Sequence, residues 1–110
     1  MILEVATFAV QPGHEAAFEQ AFDKAQRLLP GLAGYLSHEL RRSVEREQLY
    51  ALLIEWRAVD DRTLGFARSL AHQRWRELLQ DHLAERPQVE FYRPLVSAAS
   101  LPGKVRNASD

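Results

Sequence analysis

Residues Ile2 to Val10 are rich in β-forming side chains and run into the breaker cluster Gln11-Pro12-Gly13, which predicts a first strand. From His14 the apolar period changes. Phe18, Ala21, Phe22, Ala25, Leu28 and Leu29 recur at the three- and four-residue spacing of one helical stripe. Glu15 and Glu19 lie near the start of that helix and Lys24 and Arg27 near its end, the order a helix dipole favours, and Pro30-Gly31 stops it. Residues 34–43 alternate weakly, with Tyr35, Leu36 and Leu40 among polar neighbours, and Glu45-Arg46-Glu47 reads as a turn. Gln48 to Arg57 is a plain strand whose even positions, Tyr50, Leu52, Ile54 and Trp56, form one fully apolar face. Residues 34–57 therefore predict a hairpin. Asp60-Asp61 opens a second helical region, with Ser69 as an internal N-cap between a short helix near 60–67 and a longer one near 70–84. Pro87 ends it, and Val89 to Leu95 supplies a last short strand.

The order is β-α-β-β-α-β. Two strand-helix units with right-handed crossovers between parallel neighbours give an α+β, ferredoxin-like fold, a four-stranded antiparallel sheet with both helices on one face. One domain over residues 1–96 is expected, followed by an irregular tail over 97–110 that lacks periodicity.

The helices can cover only one sheet face, yet two strands are apolar on both. The first has Leu3, Val5 and Ala9 on one side and Ile2, Ala6, Phe8 and Val10 on the other; the third adds Leu49, Ala51 and Leu53 to its reverse. A sheet with a wet face alternates more cleanly, and an uncovered apolar face is an association surface. Two sheets packed face to face in a homodimer resolve the conflict. The alternative, the tail folding back over its own sheet, is disfavoured because its residues offer few large side chains.

Composition narrows the chemistry. The chain has 110 residues, 46% hydrophobic and 26% charged, an ordinary globular mix for one domain. Fourteen basic against fifteen acidic side chains give a formal charge of -1, which provides no electrostatic case for a nucleic acid or an anionic membrane as partner. There is no cysteine, so disulfides, thiol catalysis and cysteine-ligated metals are excluded. The apolar N-terminal run is too short to span a bilayer and lacks the form of a signal peptide. A cytoplasmic protein is expected.

The segment FARSLAHQRWRELL, Phe66 to Leu79, concentrates the candidate chemistry. On a helical wheel Ala71, Trp75, Leu78, Leu79 and His82 share one side, and Gln73, Arg74, Glu77, Gln80 and Asp81 the opposite one. His72 falls on the flank, with Arg68 and Arg76 four residues away on either side, so the three stack in one row. By spacing alone a boundary histidine with a structural partner is the commoner outcome. The functional alternative is a histidine opening into a pocket between helix and sheet, kept neutral by the flanking cations. His14, His38 and His82 show no metal-ligand spacing. No phosphate loop and no nucleophile elbow is present.

QPGHEAAFEQAF after the first strand, LLIEW in the third, and FARSLAHQRW with PQVEFYRPL at the end together resemble the antibiotic biosynthesis monooxygenase (ABM) family of dimeric α/β-barrel proteins. The resemblance covers about residues 1–95. It implies the same fold and dimer, a pocket between helices and sheet, and oxidation of aromatic polyketides or quinols by molecular oxygen without metal or flavin. The haem-degrading branch of these proteins has an asparagine, a tryptophan and a haem-ligating histidine where this chain has Ala6, Phe66 and Arg76, so haem degradation is disfavoured. Ser69 and His72 match an S-x-x-H portion found in other members. The resemblance thus implies a cofactor-independent monooxygenase acting on a small electron-rich aromatic. His72 is the expected base or hydrogen-bond partner, Arg68 or Arg76 the group that stabilises the anion, and Phe66, Trp75, Trp56 and Tyr92 the walls. A non-catalytic ligand-binding dimer and a small-molecule isomerase are the alternatives, because one fold hosts many functions.

Overall fold

In the computed structural model, which describes residues 1–97, β1 (Ile2–Ala9) is followed by α1 (Glu15–Ala25), β2 (Tyr35–Arg42), β3 (Leu49–Trp56), α2 (Leu70–Leu79) and β4 (Gln88–Tyr92). All three strand pairings are antiparallel and the sheet order is β2-β3-β1-β4. This is the ferredoxin-like arrangement the periodicity predicts. The expected tail lies outside the described residues except for its first member, Ser97.

The β1–β3 register sets Ala6 opposite Leu52 and Phe8 opposite Tyr50. The even positions of both strands therefore share one face. On it Ala6, Phe8, Val10, Tyr50, Leu52, Ile54 and Trp56 are buried under Phe18, Phe22, Ala25 and Leu29 from the first helical region and Phe66, Trp75 and Leu79 from the second. The odd face, with Leu3, Val5, Ala9, Leu49, Ala51 and Leu53, is only half-buried. No helix of the described residues is long and apolar enough to cross a membrane.

Four features depart from the sequence pattern. The weak alternation of β2 comes from a β-bulge between Tyr35 and Ser37. One extra residue there reverses the parity, so Tyr35 and His38 turn the same way: Tyr35 Oη meets His38 Nδ1 at 2.5 Å, and His38 Nε2 meets Gln26 Oε1 at 2.9 Å. The second helical region opens as a π-helical turn over Asp61–Phe66, marked by the Ala67 N–H donating five residues back to the Arg62 carbonyl at 2.9 Å. Helix α2 ends at Leu79 and passes into a 3-10 turn over Gln80–His82 rather than continuing to residue 84. The last strand stops at Tyr92, where its ladder with Leu3 ends.

The turn entering β2 requires glycine. Gly34, before β2, has φ +80°, and a Cβ there would collide with the Asp61 side chain. That Asp61 carboxylate accepts the Ala58 N–H at 3.1 Å and so shapes the turn leaving β3. Gly34→Ala is expected to destabilise the protein by at least about 2 kcal/mol, combining a left-handed backbone with a displaced side chain. Urea unfolding checks this; a loss under about 0.5 kcal/mol, the range of an unremarkable surface change, would mean that Asp61 swings away freely.

Candidate functional site

Between α2 and the helix-bearing face of the sheet lies a cavity of about 630 Å³, within the usual range for small-molecule sites. Glu4, Ala6, Phe8, Leu52, Ile54 and Val89 line it from the sheet, and His72, Trp75, Arg76 and Leu79 from α2. Arg62 and Phe66 of the π-helical turn close one side, and Gln80, Leu83, Glu85, Arg86 and Pro87 surround the rest. The sheet contribution follows from strand parity, since the even side chains of β1 and β3 all project towards the helices.

The most deeply buried polar group here is Glu4, 2% exposed amid the apolar face of β1. Its Oε1 accepts Trp56 Nε1–H at 2.8 Å and Arg62 Nε–H at 3.0 Å. Trp56 reaches it from the paired strand, and Arg62 because the π-helical turn widens the backbone at that point. The Arg62 guanidinium also lies over the Phe66 ring, 5.2 Å from its centroid. A buried carboxylate is tolerable only when so partnered. No sequence motif points to Arg62. Glu4 did carry a signal, being the lone acid among the even, inward positions of a strand.

His72 lies two residues inside α2. Ser69, extended at φ -93° and ψ 162°, is the N-cap the sequence predicts, and its Oγ accepts the His72 N–H at 3.1 Å, an interaction worth about 1 kcal/mol to a helix start. The imidazole packs edge-on against Phe66, with ring centroids 4.9 Å apart and planes at 87°. Neither ring nitrogen has a hydrogen-bond partner among the described residues, although the side chain lines the cavity. Burial, then the nearby Arg62 and Arg76 charges, hold its pKa below the ordinary imidazole value. His72 thus offers ring nitrogens without a partner among the described residues, in surroundings that favour the neutral imidazole.

Phe66, His72, Trp75 and Arg76 therefore meet at one cavity. Three other expected residues do not join them. Arg68 is exposed and lies outside α2, because the extended Ser69 breaks the helical row in which it would stack on His72; Arg62 takes its place as the second cation. Trp56 is fully buried and stands behind Glu4 rather than on the cavity wall. Tyr92 pairs with Leu3, an odd position, and so belongs to the opposite sheet face, 51% exposed, with its hydroxyl donating to Glu90 at 2.9 Å. The remaining histidines sit elsewhere. His14 and His82 meet with Nδ1 atoms 3.3 Å apart, joining the start of α1 to the turn after α2. His38 faces Tyr35 and Gln26, and its pKa is lowered by burial.

Comparisons with known proteins agree with this architecture. Residues 1–78 match the family described as Antibiotic biosynthesis monooxygenase. The uncharacterized protein YczJ of Bacillus subtilis is 36% identical over 92 residues, covering 84% of this chain and 97% of its own. A solved structure from Bordetella bronchiseptica, named for the same family, is 37% identical with a TM-score of 0.84, covering 86% of this chain and 97% of that one. SnoaB, a cofactor-independent oxygenase from Streptomyces nogalater, has the same fold at 17% identity, with a TM-score of 0.76 over 87% of this chain and 94% of its own.

Proposed function

Because the chain belongs to the antibiotic biosynthesis monooxygenase family, we propose that its cavity oxidises a small electron-rich aromatic, a phenol, quinol or anthrone-type polyketide, with molecular oxygen and no resident cofactor. The observation that carries this reading is His72, its pKa lowered by burial and its ring nitrogens without a partner among the described residues, on the wall of a cavity whose sheet side is mostly apolar. Such a group accepts a proton from an acidic C–H or O–H of the substrate. In a dry pocket the resulting carbanion or phenolate is a strong one-electron donor to oxygen. For an anthrone the outcome balances as one methylene plus O2 giving one carbonyl plus H2O: an electron passes from the anion to O2, the radical pair joins as a peroxide, and the O–O bond breaks with loss of water. Arg76 stabilises the anion formed by proton loss, the imidazolium left on His72 adds to its field, and Phe66 and Trp75 hold the ring. SnoaB, of the same fold, is a cofactor-independent oxygenase, which supports the reaction class.

An oxygen electrode, read beside a thermal-shift screen over a panel of quinols, naphthols and anthrones, tests the proposal. Oxygen uptake with any of these in metal-depleted, flavin-free protein is expected. Binding across the panel without uptake would instead favour a non-catalytic ligand-binding protein.

The same reading includes a homodimer. The half-buried odd face of β1 and β3, where Val5 sits opposite Leu53, supports two sheets packed against each other. Sedimentation is expected to give twice the chain mass of 12.6 kDa, and Leu53→Arg to give the monomer, since an unpaired charge there opposes burial. A monomeric wild type would remove the dimer.

A further inference from the structure

Charge is distributed unevenly around the cavity, and this says more about the ligand than the apolar lining does. Three arginines line it, Arg62, Arg76 and Arg86, in a chain whose formal charge is -1. The Arg62 charge is matched by Glu4 at 3.0 Å. Arg76 and Arg86 form no ion pair among the described residues, and neither does Glu85, the one other acid on the lining. Two guanidiniums against one carboxylate leave one net positive charge beside the cavity.

We propose that the ligand of this cavity is a hydroxylated aromatic that also carries a carboxylate, and that Arg86, with Arg76, binds this acid group. The hydroxylated ring rests on the function proposed above; the acid group rests on the arginines. A guanidinium matches a carboxylate with two parallel N–H donors. The single net charge suits a monoanion better than a phosphate dianion. Arg76 belongs to α2 and Arg86 to the segment between α2 and β4, so the acid would tie together two elements flanking the cavity. The charge also balances through the reaction: the carboxylate enters as a monoanion, and when the ring is deprotonated the second negative charge appears together with the His72 imidazolium.

Isothermal titration of the protein with 6-hydroxy-2-naphthoate and with its neutral carboxamide, 6-hydroxy-2-naphthamide, separates recognition of the acid from recognition of the ring. The naphthoate is expected to bind at least about tenfold more tightly than the amide, as a charged hydrogen-bonded contact gives. Arg86→Gln should bring the two within about threefold of each other without loss of amide binding, and Arg76→Gln should narrow the gap. Both arginines are exposed, so the variants are expected to fold, which their circular dichroism confirms. Equal affinities in the wild type, binding of neither compound, or a full preference surviving in the double variant would each overturn the proposal. Oxygen uptake, measured separately, keeps the two readings apart. Acid preference without turnover leaves the recognition standing and removes the oxygenase, whereas turnover of neutral phenols without acid preference does the reverse.

Discussion

His72→Ala is expected to lower oxygen uptake with a quinol or anthrone-type substrate by at least about tenfold, as loss of a positioned general base does. The pH profile gives the second half of this result. A pKa lowered by burial and by the Arg62 and Arg76 charges keeps His72 neutral through pH 7 and some way below the ordinary value of 6.5. The wild-type rate should therefore hold as pH falls past 6.5 and drop only at the lower, shifted value, because activity requires the neutral form. In His72→Ala that acid limb should vanish with the activity. The stability sign is the same: the unfolded chain protonates this histidine at a higher pH than the folded protein, so folded stability declines as pH falls from the ordinary value through the shifted one. His38, also lowered by burial, adds to the stability trend but not to the rate. Equal turnover in the mutant, with its melting temperature preserved, would take His72 out of the mechanism.

The largest effect on stability is expected at Glu4. Its side chain is 3% exposed and that of Arg62 14%, with 3.0 Å between them. Glu4→Leu strips Arg62 of its partner and Trp56 of its acceptor, and should cost about 3–5 kcal/mol. For a domain near 100 residues each kcal/mol moves the midpoint by roughly 4–8 °C, so thermal melting at fixed protein concentration reads the change easily. Arg62→Met alone leaves Glu4 buried with only the indole N–H and should be comparably damaging. The double variant Glu4→Leu/Arg62→Met removes both charges together and should be more stable than either single variant. A double variant that simply sums the two losses would mean that the pair contributes through packing and not as a charge couple.

Much of this architecture is legible in the sequence because it rests on periodicity. The even positions of β1 and β3 are apolar in step, and their register in the sheet follows from that. The Ser69 cap is equally readable, since a serine hydroxyl accepting a backbone N–H three residues on is local chemistry. What escapes is the non-local and the irregular. The bulge at Tyr35 shifts parity without leaving a composition signal. Arg68 satisfies helical spacing with His72, but that spacing has meaning only within one continuous helix, and the extended Ser69 ends the row. Arg62 reaches the cavity through a π-helical turn that no apolar period announces. Residue type alone suggests Tyr92 as a wall, whereas its parity against Leu3 decides which face it occupies.

The sheet order has a consequence for how the chain is made. β1 is synthesised before β3 and β4, yet it stands between them, and its Leu3 pairs with both Glu55 and Tyr92. Neither edge of β1 can be satisfied until distant parts of the chain exist, a topology in which loop closure precedes reward. A nascent chain therefore holds an apolar strand with at least one open edge until residue 92 has emerged. Aggregation during synthesis, where it occurs, should begin at β1.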